Sequence, residues 1–169
     1  LNKRAIDFLK EEKKAELIIT VDCGITSVEE IDYAHNLGIE VVITDHHEPK
    51  NILPNTPYII DAKVKGENYP FKELCGAGVA CLLIWALSNK SDFFDACIDL
   101  AALATVADLV PLVDANRYIV KRGIDKMREN PSVPIRALCS YAKINPANIS
   151  SYALGFKIAP MINACGRLD

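Results

Sequence analysis

The residues best suited to chemistry lie together in Thr44-Asp45-His46-His47-Glu48, directly after an apolar run. One carboxylate and two imidazoles are thereby expected at the carboxyl end of a β-strand, where open α/β sheets bind their ligands. This set of donors suits manganese, iron or zinc and differs from the thiolates of a structural zinc site. A surface turn that carries two histidines is the alternative, because so short a motif is only a hypothesis.

A second acid follows another apolar run. Residues 17–21 form a continuous apolar run rich in β-branched residues, typical of a central parallel strand, that ends at Asp22. Ser27 and Glu30 form a capping-box pattern that predicts a helix, and residues 39–44 form the next strand. Strand, helix and strand within about thirty residues predict a right-handed βαβ unit. Asp22 and the aspartate-histidine motif should therefore lie at one sheet edge, one or two strand spacings of ~5 Å apart.

A third acid stands in an apolar environment. The pattern predicts a strongly apolar helix over residues 93–110, with Asp108 near its end. An ionised carboxylate in such surroundings is costly unless it is paired or binds a metal, whereas Asp99 lies near the polar start of the helix. Asp108 is therefore a candidate metal ligand. A cap of the helix end and an ion pair with Arg117 are the alternatives.

Two glycines precede another apolar helix, expected over residues 79–87. Gly76 and Gly78 could let backbone N–H groups approach a phosphate at the positive end of that helix. Close packing of the helix is the alternative, because a lone G-x-G pattern is weak. Further patterns predict a helix over 3–14, a strand over 57–61, and helices over 116–128, 133–143 and 149–158. The predicted fold is α/β, a parallel sheet flanked by helices with a mainly helical C-terminal half.

Composition limits the class of protein. The 169 residues, 50% of them hydrophobic, suffice for one domain, which we expect to consist of a metal-site part at 1–62 and a mainly helical part at 75–169. With a net charge of −3, the chain lacks the overall positive electrostatic field typical of duplex-binding modules. No apolar run reaches the ~18 residues of a membrane helix. Six cysteines without a C-x-x-C pair favour a reducing compartment, so we expect a cytoplasmic protein.

Five segments, taken in order along the chain, resemble the DHH phosphoesterase superfamily and, within it, the RecJ-type single-stranded-DNA-specific exonucleases. The segments are IITVDCGITS at 18–27, TDHHE at 44–48, CGAGVA at 75–80, ATVADLVPL at 104–112 and IAPMINACGR at 158–167. The glycine loop and the closing segment carry the RecJ-like character.

This resemblance implies a two-metal phosphodiesterase, dependent on Mn²⁺ or Mg²⁺, that removes nucleotides from the 5′ end of single-stranded DNA in recombination and repair. Such a hydrolase would act with repair or replication proteins. Asp22 would bridge both metals, and His46 and Asp108 would bind one of them. Asp45 would fix an imidazole. The implied contacts to the substrate phosphate are His47, Gly76, Gly78 and Arg167.

Two family features are missing from this sequence. The family's first motif, an upstream Asp-x-Asp, does not occur, and neither does the C-terminal substrate-binding domain. We therefore expect a fragment of the DHH catalytic domain that alone binds metal weakly and has little or no nuclease activity, because three protein ligands are too few to hold two metals.

Two other functions stay open. One is hydrolysis of short oligonucleotides or cyclic dinucleotides by the same metal core, and the segment at 158–167 favours DNA over these substrates. The other is a non-catalytic replication scaffold, which retention of Asp22, His46 and Asp108 disfavours.

Overall fold

The structure, a computed structural model, describes residues 1–88 and 91–165, the side chains of residues 91, 92 and 165 excepted. The chain divides into two units, residues 1–72 and 73–169. The single-domain organisation expected from the sequence stays a prediction.

The first unit is built on a parallel sheet. Its elements are α1 (Lys3–Glu11), β1 (Leu17–Val21), α2 (Val28–Asn36), β2 (Glu40–Thr44) and β3 (Ile59–Ile60). The strands lie in the order β1-β2-β3, and all pairs are parallel. The βαβ arrangement predicted for residues 17–44 is thus confirmed, because β1 and β2 are neighbours joined through α2.

The core of this unit lies between the sheet and its helices. Side chains from α1, α2, β2 and the residue before β2 form a buried apolar cluster of Ile6, Ile31, Ala34, Ile39, Val41 and Ile43. Burial alternates from Glu40 to Ile43, as expected for a strand with one face on a core, and Thr44 at the end of β2 is buried as well.

The prediction that residues 17–21 form a central strand is wrong for the described part of the sheet. Here β1 lies at an edge, and Leu17, Ile19 and Val21 are each about half exposed. A continuous apolar run indicates that a segment forms a strand, but it does not show how many other strands pair with that strand. The central strand is β2.

Some predicted boundaries were too long. The first helix ends at Glu11 rather than residue 14, and the strand expected over 57–61 has only two residues. Ser27 does occupy the N-cap of α2, but within the described residues its side chain makes no capping hydrogen bond. Gly38 follows α2 with φ +69°, a conformation that suits glycine at a helix end.

The second unit is helical, which confirms the predicted character of this half. Its elements are α3 (Gly76–Ser88), α4 (Ser91–Ala107), α5 (Asp114–Glu129), α6 (Val133–Tyr141), a 3₁₀ turn (Pro146–Asn148), α7 (Ser151–Ala153), a π-helical turn (Leu154–Ile158) and α8 (Ala159–Cys165). No helix in the described ranges is long and apolar enough to span a lipid bilayer.

Packing between α4 and α5 depends on one glycine. A Cβ added at Gly123 would lie 2.2 Å from the Cβ of Ala102 and 2.6 Å from the carbonyl oxygen of Ile98. Residue 123 must therefore lack a side chain for the two helices to approach this closely.

Candidate metal centre

The register of the sheet brings two acids to one edge. Val21 pairs with Thr44, so Asp22 and Asp45 follow directly at the carboxyl ends of β1 and β2. The N–H of Asp22 donates to the carbonyl oxygen of Thr44 at 3.0 Å. Asp22 has φ +63°, a left-handed conformation that is uncommon for residues other than glycine and that recurs at functional sites. The backbone is therefore held in an unusual conformation where the chemistry is expected.

Asp22 and the two histidines form a compact group of donors. Nε2 of His46 lies 3.0 Å from Oδ1 of Asp22. One ligand atom from each of Asp22, His46 and His47 lies within 4.8 Å of the other two. The carboxylate is exposed over 58% of its side chain, so solvent ions can reach it. A carboxylate oxygen with two imidazole nitrogens is a donor set that fits a first-row divalent ion such as Mn²⁺ or Zn²⁺.

Asp45 is buried behind this group, with 1% of its surface exposed. Its Oδ2 accepts the Ile25 N–H at 2.9 Å. Its Oδ1 accepts the N–H groups of His46 at 2.8 Å and His47 at 3.3 Å and lies 2.7 Å from Nδ1 of His47. Burial alone would raise the pKa of Asp45, but these hydrogen bonds outweigh it and the pKa is lowered. Asp45 is therefore ionised near neutral pH.

An ionised Asp45 determines the tautomer of His47. A carboxylate can only accept, so Nδ1 of His47 must carry the proton in their 2.7 Å contact. In the neutral ring this leaves Nε2 with its lone pair free of a proton, as metal-ligating or proton-accepting histidines require.

The turn between β1 and α2 supplies one of these donors. Gly24 has φ +116°, and an added Cβ would lie 2.8 Å from Oγ1 of Thr20. Only glycine fits this close turn, which directs the N–H of Ile25 to Asp45. Oγ1 of Thr44 also donates to the carbonyl oxygen of Thr20, at 2.7 Å, and ties the strand ends together.

The prediction that Asp108 lies in the apolar surroundings of a helix is wrong. The apolar helix ends at Ala107, and Asp108 is exposed rather than enclosed in apolar surroundings, as is the following residue, Leu109, at 88%. The physical reason is that the chain leaves the helix here, in a left-handed turn at Leu109 with φ +60°. The assignment of Asp108 as a metal ligand therefore depends on the family resemblance alone.

Among the acids of α4 whose side chains are described, Asp99 is instead the buried one, with no exposed surface. It lies 3.2 Å from Nζ of Lys126 and accepts the N–H groups of Ser132 and Leu100, each at 3.0 Å. Asp99 joins α4 to α5 and to the start of α6. Hydrophobic periodicity could not show this, because the partners on those helices are more than 25 residues away in the sequence.

The glycines expected to bind phosphate lie in the first turn of α3. The N–H of Gly78 donates to Sγ of Cys75 at 3.3 Å, and an added Cβ would lie 3.4 Å from Cδ2 of Leu74. For Gly78 these contacts favour the packing interpretation. Gly76 is buried, and Arg167 lies outside the described residues.

One acid of the first unit was missed by the sequence reasoning. Asp61 follows β3 as Asp22 follows β1, and it is only 3% exposed. The signal that identified Asp22, an acid directly after an apolar strand, was present here too.

A parallel sheet whose carboxyl edge gathers an aspartate and two histidines defines this protein as an α/β domain with a candidate metal centre. The model of the DHH family, N-terminal domain, matches residues 1–105. The chain belongs to the DHH family.

Relatives of known activity resemble nearly the whole chain. The single-stranded-DNA-specific exonuclease RecJ of Bacillus subtilis is 42% identical over 168 residues, which cover 99% of this chain and 21% of that protein. The RecJ of Escherichia coli is 39% identical over 169 residues, with 92% and 29% covered. This chain thus spans less than a third of the length of these curated relatives.

Solved structures resemble the same region. A crystal structure of exonuclease RecJ bound to manganese superposes with a TM-score of 0.84 and 32% identity, over 99% of this chain and 42% of that one. RecJ from Thermus thermophilus in complex with Mn²⁺ gives a TM-score of 0.79 and 34% identity, over 96% and 25%.

Proposed function

We propose that the protein is a divalent-metal-dependent exonuclease that hydrolyses single-stranded DNA from its 5′ end, with this chain as part of its DHH catalytic domain. The observation that carries the proposal is the cluster of Asp22, His46 and His47 at the carboxyl edge of the sheet. It occurs in a chain similar along its length to RecJ exonucleases, and two crystal structures of RecJ contain manganese.

Asp22 and His46 are proposed to hold the cation, which we take to be Mn²⁺ or Mg²⁺. Nε2 of His46 and Oδ1 of Asp22 are 3.0 Å apart, so both atoms can be brought to one ion with little movement. The bound ion would supply Lewis-acid polarisation of the phosphoryl oxygen and an activated water.

Asp45 and His47 are proposed to act on the substrate side of the site, where Asp45 orients the His47 ring. Asp45 keeps the His47 ring in one orientation through the bond at Nδ1, so the ring loses little freedom when substrate binds. His47, held in this orientation by Asp45, is proposed to face the substrate phosphate. The lowered pKa of Asp45 supports this role, because the partner stays ionised.

The remaining assignments depend on the family resemblance. We propose Asp108 as a further metal ligand and Gly76, Gly78 and Arg167 as phosphate contacts. For Gly78 the contact would require its N–H to leave the thiol of Cys75. Single-stranded DNA is the proposed substrate, repair or replication proteins are the proposed partners, and the proposed location is the cytoplasm.

The test uses the full-length protein with 5′-phosphorylated single-stranded DNA and Mn²⁺. Asp22→Asn should reduce nucleotide release by more than the roughly 10- to 100-fold typical of residues that only support a ligand. Glu40→Gln is the matched control, because Glu40 is an exposed acid at the opposite end of β2. Undiminished digestion by Asp22→Asn would contradict the proposed role. Faster hydrolysis of a dinucleotide than of the long strand would instead identify a small-nucleotide phosphodiesterase.

A further inference from the structure

Asp61 ends the third strand at the same edge as the metal centre. In the ladder between β2 and β3, Thr44 pairs with Ile60, and the N–H of Asp45 donates to the carbonyl oxygen of Ile60 at 3.0 Å. Each strand of the described sheet is therefore followed by an aspartate at its carboxyl end. Asp22 belongs to the donor cluster and Asp45 orients a histidine, but Asp61 has no role in the proposed mechanism.

Only one oxygen of Asp61 is explained by local structure. Oδ1 accepts the N–H of Lys63 at 2.9 Å, which is an ordinary turn contact. Oδ2 is buried and has no hydrogen-bond partner among the residues that the structure describes. A buried carboxylate oxygen without a donor is unfavourable, and such groups call for an explanation. The turn contact uses only Oδ1, so it does not explain why Oδ2 is buried.

The charges around Asp61 indicate what could compensate this oxygen. Burial raises the pKa of Asp61, and the negative charge of Asp45 raises it further, whereas Lys63 and His46 act in the opposite direction. The pKa of Asp61 therefore depends on the charge at His46, one of the three residues of the donor cluster. A dication held at that cluster would offset both the burial of Asp61 and its repulsion from Asp45.

We propose that Asp61 is a positioning residue of the metal centre, a buried carboxylate that raises the affinity of Asp22 and His46 for a divalent cation without ligating it. This inference rests on the proposed function and extends it. Asp61 acts through its charge, since its ligand atoms are not part of the group that lies within 4.8 Å. Replacing a residue that supports metal ligands from outside the ligand set commonly costs about 10- to 100-fold in metal affinity.

The test measures Mn²⁺ affinity of the full-length protein directly, from the electron paramagnetic resonance signal of the free ion. Asp61→Asn keeps an oxygen for the Lys63 N–H and removes the charge. We expect its dissociation constant for Mn²⁺ to rise by about tenfold or more. Glu40→Gln removes one negative charge from the exposed far end of the same sheet, and its dissociation constant should stay at the wild-type value.

Thermal unfolding without metal separates a structural role from a role at the cation. A purely structural Asp61 would lower the melting temperature of Asp61→Asn and leave the Mn²⁺ dissociation constant unchanged, which would overturn the inference. Asp61→Ala provides a second neutral variant. If neither variant folds, Asp61 belongs to the fold and the inference is also overturned.

Failure of this inference can be distinguished from failure of the proposed function. A wild-type protein that binds no Mn²⁺ would refute both. A wild type that binds Mn²⁺ and loses it in Asp22→Asn, with Asp61→Asn unaffected, would leave the exonuclease proposal standing and refute only the role of Asp61.

Discussion

Replacing Asp45 with asparagine should make the first unit open more easily. The carboxylate of Asp45 accepts hydrogen bonds from two separate parts of the chain and so holds them together. The Ile25 N–H binds Oδ2, while two backbone N–H groups and the His47 ring bind Oδ1. Asparagine has the same shape but only one acceptor oxygen. If that oxygen faces the histidines, the amide NH₂ faces the buried N–H of Ile25.

The magnitude follows from the bonds that are lost. A hydrogen bond to a charged group contributes about 1.5–3 kcal/mol, and the bonds that remain would be to a neutral acceptor. Asp45 is 1% exposed, so solvent cannot replace the lost partner. We expect the free energy of opening to fall by about 2–4 kcal/mol near neutral pH. This corresponds to roughly 30- to 700-fold faster hydrogen exchange, at tenfold for each 1.4 kcal/mol.

The assay is hydrogen exchange of the full-length protein without metal, followed by mass spectrometry of peptides from β1 and β2. Asp32→Asn is the matched control, since Asp32 is an exposed acid on α2. It should change exchange by less than about twofold, the effect expected for a surface substitution. Exchange in Asp45→Asn within the same twofold range would refute the view that this carboxylate holds the strand ends and the turn together.

The same network predicts an acid-sensitive unit. Because the pKa of Asp45 is lower in the folded state than its ordinary value of 3.8, its ionised form stabilises the fold at higher pH. This stabilisation is present above pH 3.8 and is lost as the pH falls through the lower, folded-state value. The difference in urea midpoint between wild type and Asp45→Asn should therefore narrow below pH 3.8. A constant difference would contradict the assignment of an ionised Asp45.

Two further predictions concern helix packing and thiol chemistry. Gly123→Ala should lower the free energy of unfolding by about 1–3 kcal/mol, measured by urea denaturation, because the new methyl group would overlap Ala102 and the carbonyl of Ile98. Cys23 should react with iodoacetamide well before Cys81 in a mass-spectrometric time course, because Cys23 is exposed whereas burial raises the pKa of Cys81 to about 11.

Each of these predictions has a control. Lys121→Ala on the exposed side of α5 should leave unfolding nearly unchanged, and a Gly123→Ala protein as stable as wild type would show that α4 and α5 can separate freely. Mn²⁺ should slow the labelling of Cys23 but not of Cys97, because Cys23 adjoins Asp22. Labelling of Cys81 at the rate of Cys23 would contradict the burial of that thiol.

The amino-acid sequence by itself determined the elements on which the metal centre depends. The apolar runs before Asp22 and Asp45 predicted two strands, and the helical pattern between them predicted that these strands pair in parallel. Because parallel neighbours end at one edge, the proximity of Asp22 and His46 followed from local patterns and a topological rule. The helical character of the second unit was equally local, since it depends on apolar spacing and proline positions.

Only the tertiary structure decided which acids are buried and what surrounds them. Asp99 is enclosed and Asp108 exposed, although the local pattern suggested the reverse. The sequence also could not show the edge position of β1 or the thiol that accepts the N–H of Gly78. Nor could it show that one oxygen of Asp61 lacks a hydrogen-bond partner among the described residues. Periodicity shows which face of an element is apolar, whereas burial and hydrogen bonding depend on residues that approach from distant parts of the chain.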